Sequence, residues 1–167
     1  MHQATVLLTG GSGFIGTHLI KELLAQDFKV IGLSRKAGRV SKSPHLTWVQ
    51  SFDEIKHDRI DYVINLAGES IGQGRWTATR KQQLLDSRVY TTEFLYQYLR
   101  KRKIFPKCII SGSAVGYYGI DETEMWSSAC DEQSPAQAIF MSELCQRWEQ
   151  VTALYPEQNT QIIRLGV

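Results

Sequence analysis

The stretch TVLLTGGSGFIGTHLIKELL, residues 5–24, constrains the chain most. A short apolar run from Thr5 to Leu8 ends in Gly10, Gly11, Gly13 and Gly16. A helical pattern with apolar positions Ile15, Leu19, Leu23 and Leu24 follows. Strand, glycine turn and helix in that order demand a particular backbone. A tight turn needs positive φ, which glycine adopts at little cost. A missing side chain lets phosphates approach the backbone, and a glycine within the helix lets helix and strand touch. The helix start then presents N–H groups and the positive end of its dipole. The spacing Gly10-x-x-Gly13-x-x-Gly16 in this context predicts a dinucleotide loop formed by Gly10, Gly11, Ser12, Gly13, Phe14, Ile15 and Gly16.

The remaining pattern supplies the frame. Strands are expected at Lys29–Leu33, Leu46–Val49, Asp61–Leu66, Lys107–Ser111 and Gln161–Leu165. Helices are expected from Thr77 to about Arg102 and over Ile139–Leu154, with Ser134-Pro135 as the start signal of the latter. Leu85, Val89, Thr92, Leu95 and Leu99 mark the inner face of the long helix. Strands alternating with helices imply a parallel sheet covered on both faces, a Rossmann-type doubly wound α/β fold. At 167 residues the chain is one domain, 1–167. The polar segment from Gly119 to Pro135 reads as a surface loop over a site. The chain stops at IIRLGV, just past a strand. In such sheets ligands bind outside the carboxyl ends of the strands, so further chain is expected after Val167, and this is read as the N-terminal part of a longer protein.

About 20 residues past the glycine loop, an NAD-preferring site carries an acidic residue at the end of the second strand. This sequence has Ser34-Arg35-Lys36 there. A guanidinium suits a ribose 2′-phosphate, so the expected cofactor is NADP(H).

Charge argues against nucleic acid. Lys and Arg number 19 against 17 Asp and Glu, a formal net charge of +2. The one basic run, RKRK at residues 100–103, suits a helix C-terminus. No apolar run approaches the ~20 residues that cross a bilayer, and Met1 to Ala4 is too short and too polar to read as a signal peptide, so none is expected. Cys108, Cys130 and Cys145 lack metal-ligand spacing and are odd in number, which fits a reducing, cytoplasmic compartment. His45 and His57 suggest no metal, and His18 reads as structural or exposed.

TGGSGFIG, NLAG at residues 65–68 and SGSAVGYYG at residues 111–119 resemble the short-chain dehydrogenase/reductase superfamily, extended or atypical type. INLAGESI, RWTATRKQQLLDSRV, SGSAVGYYG and LCQRWE are similar to the YfcH-like epimerase-family proteins, related to sugar-nucleotide epimerases. The resemblance implies an NADP(H)-binding Rossmann-type domain within a protein of about 300 residues. It places Asn65, Leu66, Ala67 and Gly68 beside the adenosine half of the cofactor. It matches Ser113 to the superfamily's catalytic serine or threonine after the fifth strand, and it brings Gly166 and Val167 near the nicotinamide. It also implies pairing of two copies through the long helix and the helix after the serine, although Phe94, Tyr96 and Tyr98 suit internal packing equally.

One element of that pattern is missing. The superfamily moves its proton with Tyr-x-x-x-Lys, whose lysine tunes the tyrosine. Here the matching helix reads Phe140-Met141-Ser142-Glu143-Leu144, with no proton to move. Tyr117 and Tyr118, on the loop beyond Ser113, are the candidate substitutes, with packing or turn roles as the alternative. Arg88 lies where related epimerases often carry a site-facing asparagine. It is a candidate anion binder or, alternatively, a surface partner of Asp86 or Glu93. Glu69, Ser70, Arg75 and Trp76 follow the fourth strand, where such folds carry sites. Leu144 and Trp148 are expected to pack the last helix onto the sheet, with Cys145 buried beside them.

Three functions remain open on this reading. The first is an NADP(H)-dependent oxidoreductase or epimerase on a small carbonyl or hydroxyl compound. The second is an NADP(H)-binding sensor or scaffold without turnover. The third is a fragment with an empty glycine loop.

Overall fold

The computed structural model describes residues 3–36, 38–56, 59–120 and 130–166. The elements are β1 (Thr5–Thr9), α1 (Phe14–Ala25), β2 (Lys29–Leu33), β3 (Leu46–Val49), β4 (Tyr62–Asn65), α2 (Ala78–Lys101), β5 (Cys108–Ala114), α3 (Phe140–Ala153) and β6 (Thr160–Leu165). The six strands form one parallel sheet in the order β3-β2-β1-β4-β5-β6. This is the doubly wound Rossmann order, which reverses direction between β1 and β4.

Alternation along the strands builds a core on each face. Leu7, Val63 and Ile109 meet Leu95, Tyr96 and Leu99 of α2 and Val151 of α3. Leu8 and Val30 meet Ile20 of α1, with Leu23, Leu24 and Trp48 around them. Full burial of each such aliphatic chain contributes about 1.5–3 kcal/mol. On α1 the inner face is therefore Gly16 and Ile20, flanked by Leu23 and Leu24. Ile15, expected on that face, is exposed, and Leu19 is only half-buried.

Helix α2 is capped at its N-terminus by Thr77. Thr77 Oγ1 accepts from the Arg80 amide at 3.2 Å, and Arg100 and Lys101 occupy the last turn. The expected face from Leu85 to Leu99 is the inner one, joined by Leu84, Arg88, Tyr96 and Tyr98. By contrast, Ser134-Pro135 starts no helix. Ser134 closes a turn with Asp131, and α3 begins later, at Phe140. Strand β5 runs past Ser111 to Ala114, because β6 pairs with it as far as Ala114↔Leu165. Ser113 thus lies within the strand and not after it. Of the segment read as a loop over the site, residues 121–129 lie outside the described residues, as do His57 and Val167. Its two ends are joined by the Gln137 carboxamide, which bonds the backbone N–H and C=O of Ile120 at 3.1 and 2.9 Å.

Candidate functional site

Where the strand order reverses, the carboxyl ends of β1, β2 and β4 open a cleft of about 470 Å³. Its floor is Gly10, Ser12 and Gly13. One wall is Leu33, Ser34 and Arg35. The other is formed by the segment from Leu66 to Ser70, with Ser87 and Thr91 of α2 behind it.

The glycines are there for close approach. Gly10 has φ +70°, and a Cβ on it would stand 2.4 Å from the Leu66 carbonyl oxygen. A Cβ on Gly16 would stand 2.3 Å from the Gly10 carbonyl oxygen. The loop is thus pressed against both β4 and its own helix. Gly13 caps α1 without a side-chain hydrogen bond, so the first N–H groups of the helix remain for an anion. These features fit a dinucleotide pyrophosphate. Gly11 is turned inward, against Leu8, Ile20 and Trp48. Phe14 and Ile15 are exposed beside the cleft, and Lys36 donates its amide to Ser34 Oγ at 3.2 Å.

Asn65 departs from expectation. Its side chain is fully buried and committed. It accepts from Thr9 Oγ1 at 2.6 Å and donates to Thr92 Oγ1 at 2.8 Å and Ser111 Oγ at 3.3 Å. Trp148 Nε1 donates to the same Thr92 hydroxyl at 2.9 Å. Asn65 therefore ties β1, β5 and α2 together behind the cleft, and it is Leu66, Ala67 and Gly68 that reach the cleft.

Arg88 had two alternatives, anion binder or surface partner, and the surface pair with Asp86 or Glu93 does not form. The guanidinium is buried and donates to the backbone carbonyls of Leu84 at 3.2 Å and Glu69 at 3.0 Å, 5.5 Å from the Trp148 ring. Burial lowers its pKa. The missing Cβ of Gly68 makes this possible, since one would stand 2.8 Å from the Arg88 guanidinium carbon. Arg88 thus holds the loop carrying Glu69.

Glu69 bridges the two walls. One carboxylate oxygen accepts from Arg35 at 2.8 Å, and the other accepts from Arg80 of α2. Arg35, then Arg80, hold the Glu69 carboxyl below its usual range. Trp76 turns away from the cleft to pack edge-on against Phe140, at 5.6 Å between ring centres.

Ser113, Tyr117 and Tyr118 gather in a second cluster. Ser113 Oγ donates to Glu149 Oε1 of α3 at 2.6 Å. Arg164 of β6 grips both oxygens of Glu149 at 2.9 Å, donates to the Tyr118 hydroxyl at 2.8 Å, and lies 3.5 Å over the Tyr117 ring. The Arg164 pKa is raised, chiefly by Glu149. The tyrosines therefore serve Arg164 in this arrangement. The Cys145 thiol is buried beside Ser113, and burial raises its pKa. Phe140 and Leu144, which the resemblance matches to the tyrosine and lysine positions, lie in an apolar seam with Leu84 and Leu85 of α2. Glu149 and Arg164 were not singled out from the sequence, although an arginine inside the apolar run IIRLGV was a signal. Among the described residues, no group of His, Cys, Asp and Glu is placed to hold a metal.

A family model described as NAD dependent epimerase/dehydratase matches residues 6–149. The chain belongs to the NAD-dependent epimerase/dehydratase family. Within this family, the epimerase family protein YfhF of Bacillus subtilis is 37% identical over 149 residues, covering 86% of this chain and 48% of that protein. An epimerase family protein of Staphylococcus saprophyticus is 31% identical over 159 residues, covering 94% and 52%. The crystal structure of human epimerase family protein SDR39U1 (isoform 2) with NADPH matches with a TM-score of 0.77 at 32% identity, covering 96% of this chain and 52% of that one. UDP-glucuronic acid 4-epimerase from Bacillus cereus, in complex with NAD, shares the fold, with a TM-score of 0.75 at 19% identity. The chain spans about half the length of the curated relatives it matches. It is an atypical, short-chain-dehydrogenase-like member, and family and cleft together support a nicotinamide dinucleotide as its cofactor.

Proposed function

We propose that the chain forms the NADP(H)-binding part of an oxidoreductase or epimerase-like enzyme acting on a small carbonyl or hydroxyl compound. The observation that carries this reading is Arg35. It stands at the end of β2, on the wall of the glycine-floored cleft, where an NAD-preferring site carries a carboxylate. The human relative crystallised with NADPH supports the same choice. Gly10, Gly13 and the start of α1 would hold the pyrophosphate, with Leu66, Ala67 and Gly68 along the adenosine. Arg35 would meet the 2′-phosphate. The bound nicotinamide would supply hydride transfer. Ser113 would orient the reacting oxygen, and Tyr117 and Tyr118 would take part by holding Arg164 in place. The test is titration of the full chain with NADPH and NADH, followed by nicotinamide fluorescence. Arg35→Asp is expected to weaken NADPH selectively. Equal binding of both cofactors, untouched by Arg35→Asp, would refute the choice of NADP(H).

A second reading is an NADP(H)-binding sensor or scaffold. Phe140 and Leu144 in the apolar seam, and a Ser113 hydroxyl committed to Glu149, favour it. Under it, NADPH changes oligomeric state without being consumed. Exposed Tyr90 and Phe94 on α2 support pairing of two copies through that helix. A monomer by sedimentation at every concentration would exclude such pairing. Three free cysteines support a reducing compartment. Among the described residues, no helix is long and apolar enough to cross a membrane.

A further inference from the structure

The cleft proposed to take NADP(H) is crossed by an ion pair. Arg35 comes from the end of β2 and Glu69 from the loop after β4, and both line the cleft. Their side chains meet at 2.8 Å. The two partners are not equally fixed. Glu69 is held at several points besides Arg35. Its second oxygen is on Arg80, its amide donates to Ser87 Oγ at 3.1 Å, and its carbonyl accepts from Arg88 at 3.0 Å. Arg80 itself is tied to the Ser70 carbonyl at 2.8 Å. Arg35 has an 83% exposed side chain and Glu69 is 27% exposed. One end of the bridge is therefore anchored and the other is free to swing.

We infer that Glu69 is a built-in competitor for the cofactor's 2′-phosphate, holding Arg35 across the cleft until a phosphate takes its place, and so sets the margin by which NADPH is preferred over NADH. This rests on the reading of Arg35 given above and adds a residue to it. A guanidinium grips a phosphate best when a fork of two N–H groups faces it, and Arg35 Nη1 is already turned to Glu69. A 2′-phosphate carries more charge than a carboxylate, so it displaces Glu69. A 2′-hydroxyl does not, so NADH leaves the bridge closed. Glu69 stays on Arg80 after Arg35 departs, so opening requires no loop movement.

The experiment measures NADPH and NADH dissociation constants by nicotinamide fluorescence on the full chain, with Glu69→Gln, Arg35→Gln and the double variant. Glutamine keeps an oxygen for Arg80 and removes the charge that holds Arg35. The expected result is that Glu69→Gln tightens NADPH about two- to fivefold, the range an exposed ion pair supports, and leaves NADH unchanged. In the Arg35→Gln background the same change is expected to have no effect on either cofactor. If Glu69→Gln weakens NADPH, Glu69 positions Arg35 rather than competing for it, and the inference is overturned. If NADH and NADPH shift together, it is likewise overturned. If Arg35→Gln leaves NADPH untouched, the NADP(H) reading itself fails. Should Glu69→Gln melt below the assay temperature, Glu69→Asp shortens the reach to Arg35 while keeping the charge. NADPH must then tighten again, or the competition is disproved.

Discussion

The Ser113 hydroxyl donates to Glu149 Oε1 at 2.6 Å, joining the carboxyl end of β5 to α3. A hydroxyl has one proton to donate. While it serves Glu149, Ser113 offers a substrate only its lone pairs, so it can accept from an alcohol but cannot polarise a carbonyl. The two residues should then differ in what their loss does to the fold. Ser113→Ala removes one charge-assisted hydrogen bond and is expected to cost about 1.5–3 kcal/mol. Glu149→Ala also leaves the half-buried Arg164 fork without its carboxylate, and the expected loss exceeds that of Ser113→Ala while staying below the ~3–5 kcal/mol of a fully buried pair. Urea denaturation decides the order, and an equal loss from both would show that Arg164 finds another partner.

Asn65 makes a structural prediction. Replacing it with leucine leaves the buried Thr9 hydroxyl proton without its acceptor and takes one of two donors from Thr92, which keeps Trp148. An unsatisfied buried polar group costs about 1–3 kcal/mol, so Asn65→Leu is expected to lower stability by about that much despite its added apolar surface. A melting temperature within a few degrees of wild type would contradict this. The effect of Asn65→Leu on cofactor affinity should be small once the fold is retained, because its side chain does not reach the cleft.

Gly16→Ala sets two effects of opposite sign against each other. Helix propensity favours alanine by about 1 kcal/mol. The new Cβ would stand 2.3 Å from the Gly10 carbonyl oxygen and 2.7 Å from the Gly11 Cα, neither of which is a flexible side-chain end. Overpacking of that kind costs about 1–3 kcal/mol, so net destabilisation is expected, along with displacement of the glycine loop and loss of nucleotide affinity. Gly72→Ala, with nothing within 4 Å of the added carbon, is the control and should be neutral. Thermal melting with and without NADPH reads both effects.

Tyr96 gives the chain an alkaline limit. Its ring, on α2, is fully buried 5.0 Å from the Tyr155 ring, and its hydroxyl bonds Thr160 Oγ1 at 2.7 Å. Burial pushes its pKa from 10.0 up to about 12. The unfolded chain releases this proton near pH 10, while the folded chain holds it longer. The contribution to stability is therefore complete below about pH 10 and is lost as pH rises toward 12. Denaturation midpoints measured at pH 9 and pH 11 should fall for wild type. They should fall less for Tyr96→Phe, which carries nothing to ionise.

The fold was legible because it rests on local signals. The glycine loop and the alternation of apolar runs with helical stretches are each written within a few residues. They placed every strand to within a few positions. The misreadings were also local in origin. Ser134-Pro135 carries a start signal, but Asp131 takes the serine into a turn. Ile15 fits a helical stripe, but Gly16 is the residue that packs against Gly10, which rotates Ile15 outward.

What the sequence determined by itself is the parallel sheet, the glycine-floored cleft at its reversal point and the basic residue at the end of β2. These follow from backbone geometry and from spacing along the chain. What only the tertiary structure decided is how the polar side chains are committed. Asn65 is used inside the core, Arg88 is buried against a loop, Glu69 crosses to Arg35, and Ser113 is bound to a glutamate 36 residues away. A hydrogen bond or ion pair forms with whatever group the fold brings within about 3 Å, and across parallel strands and crossover helices that neighbour is distant in sequence.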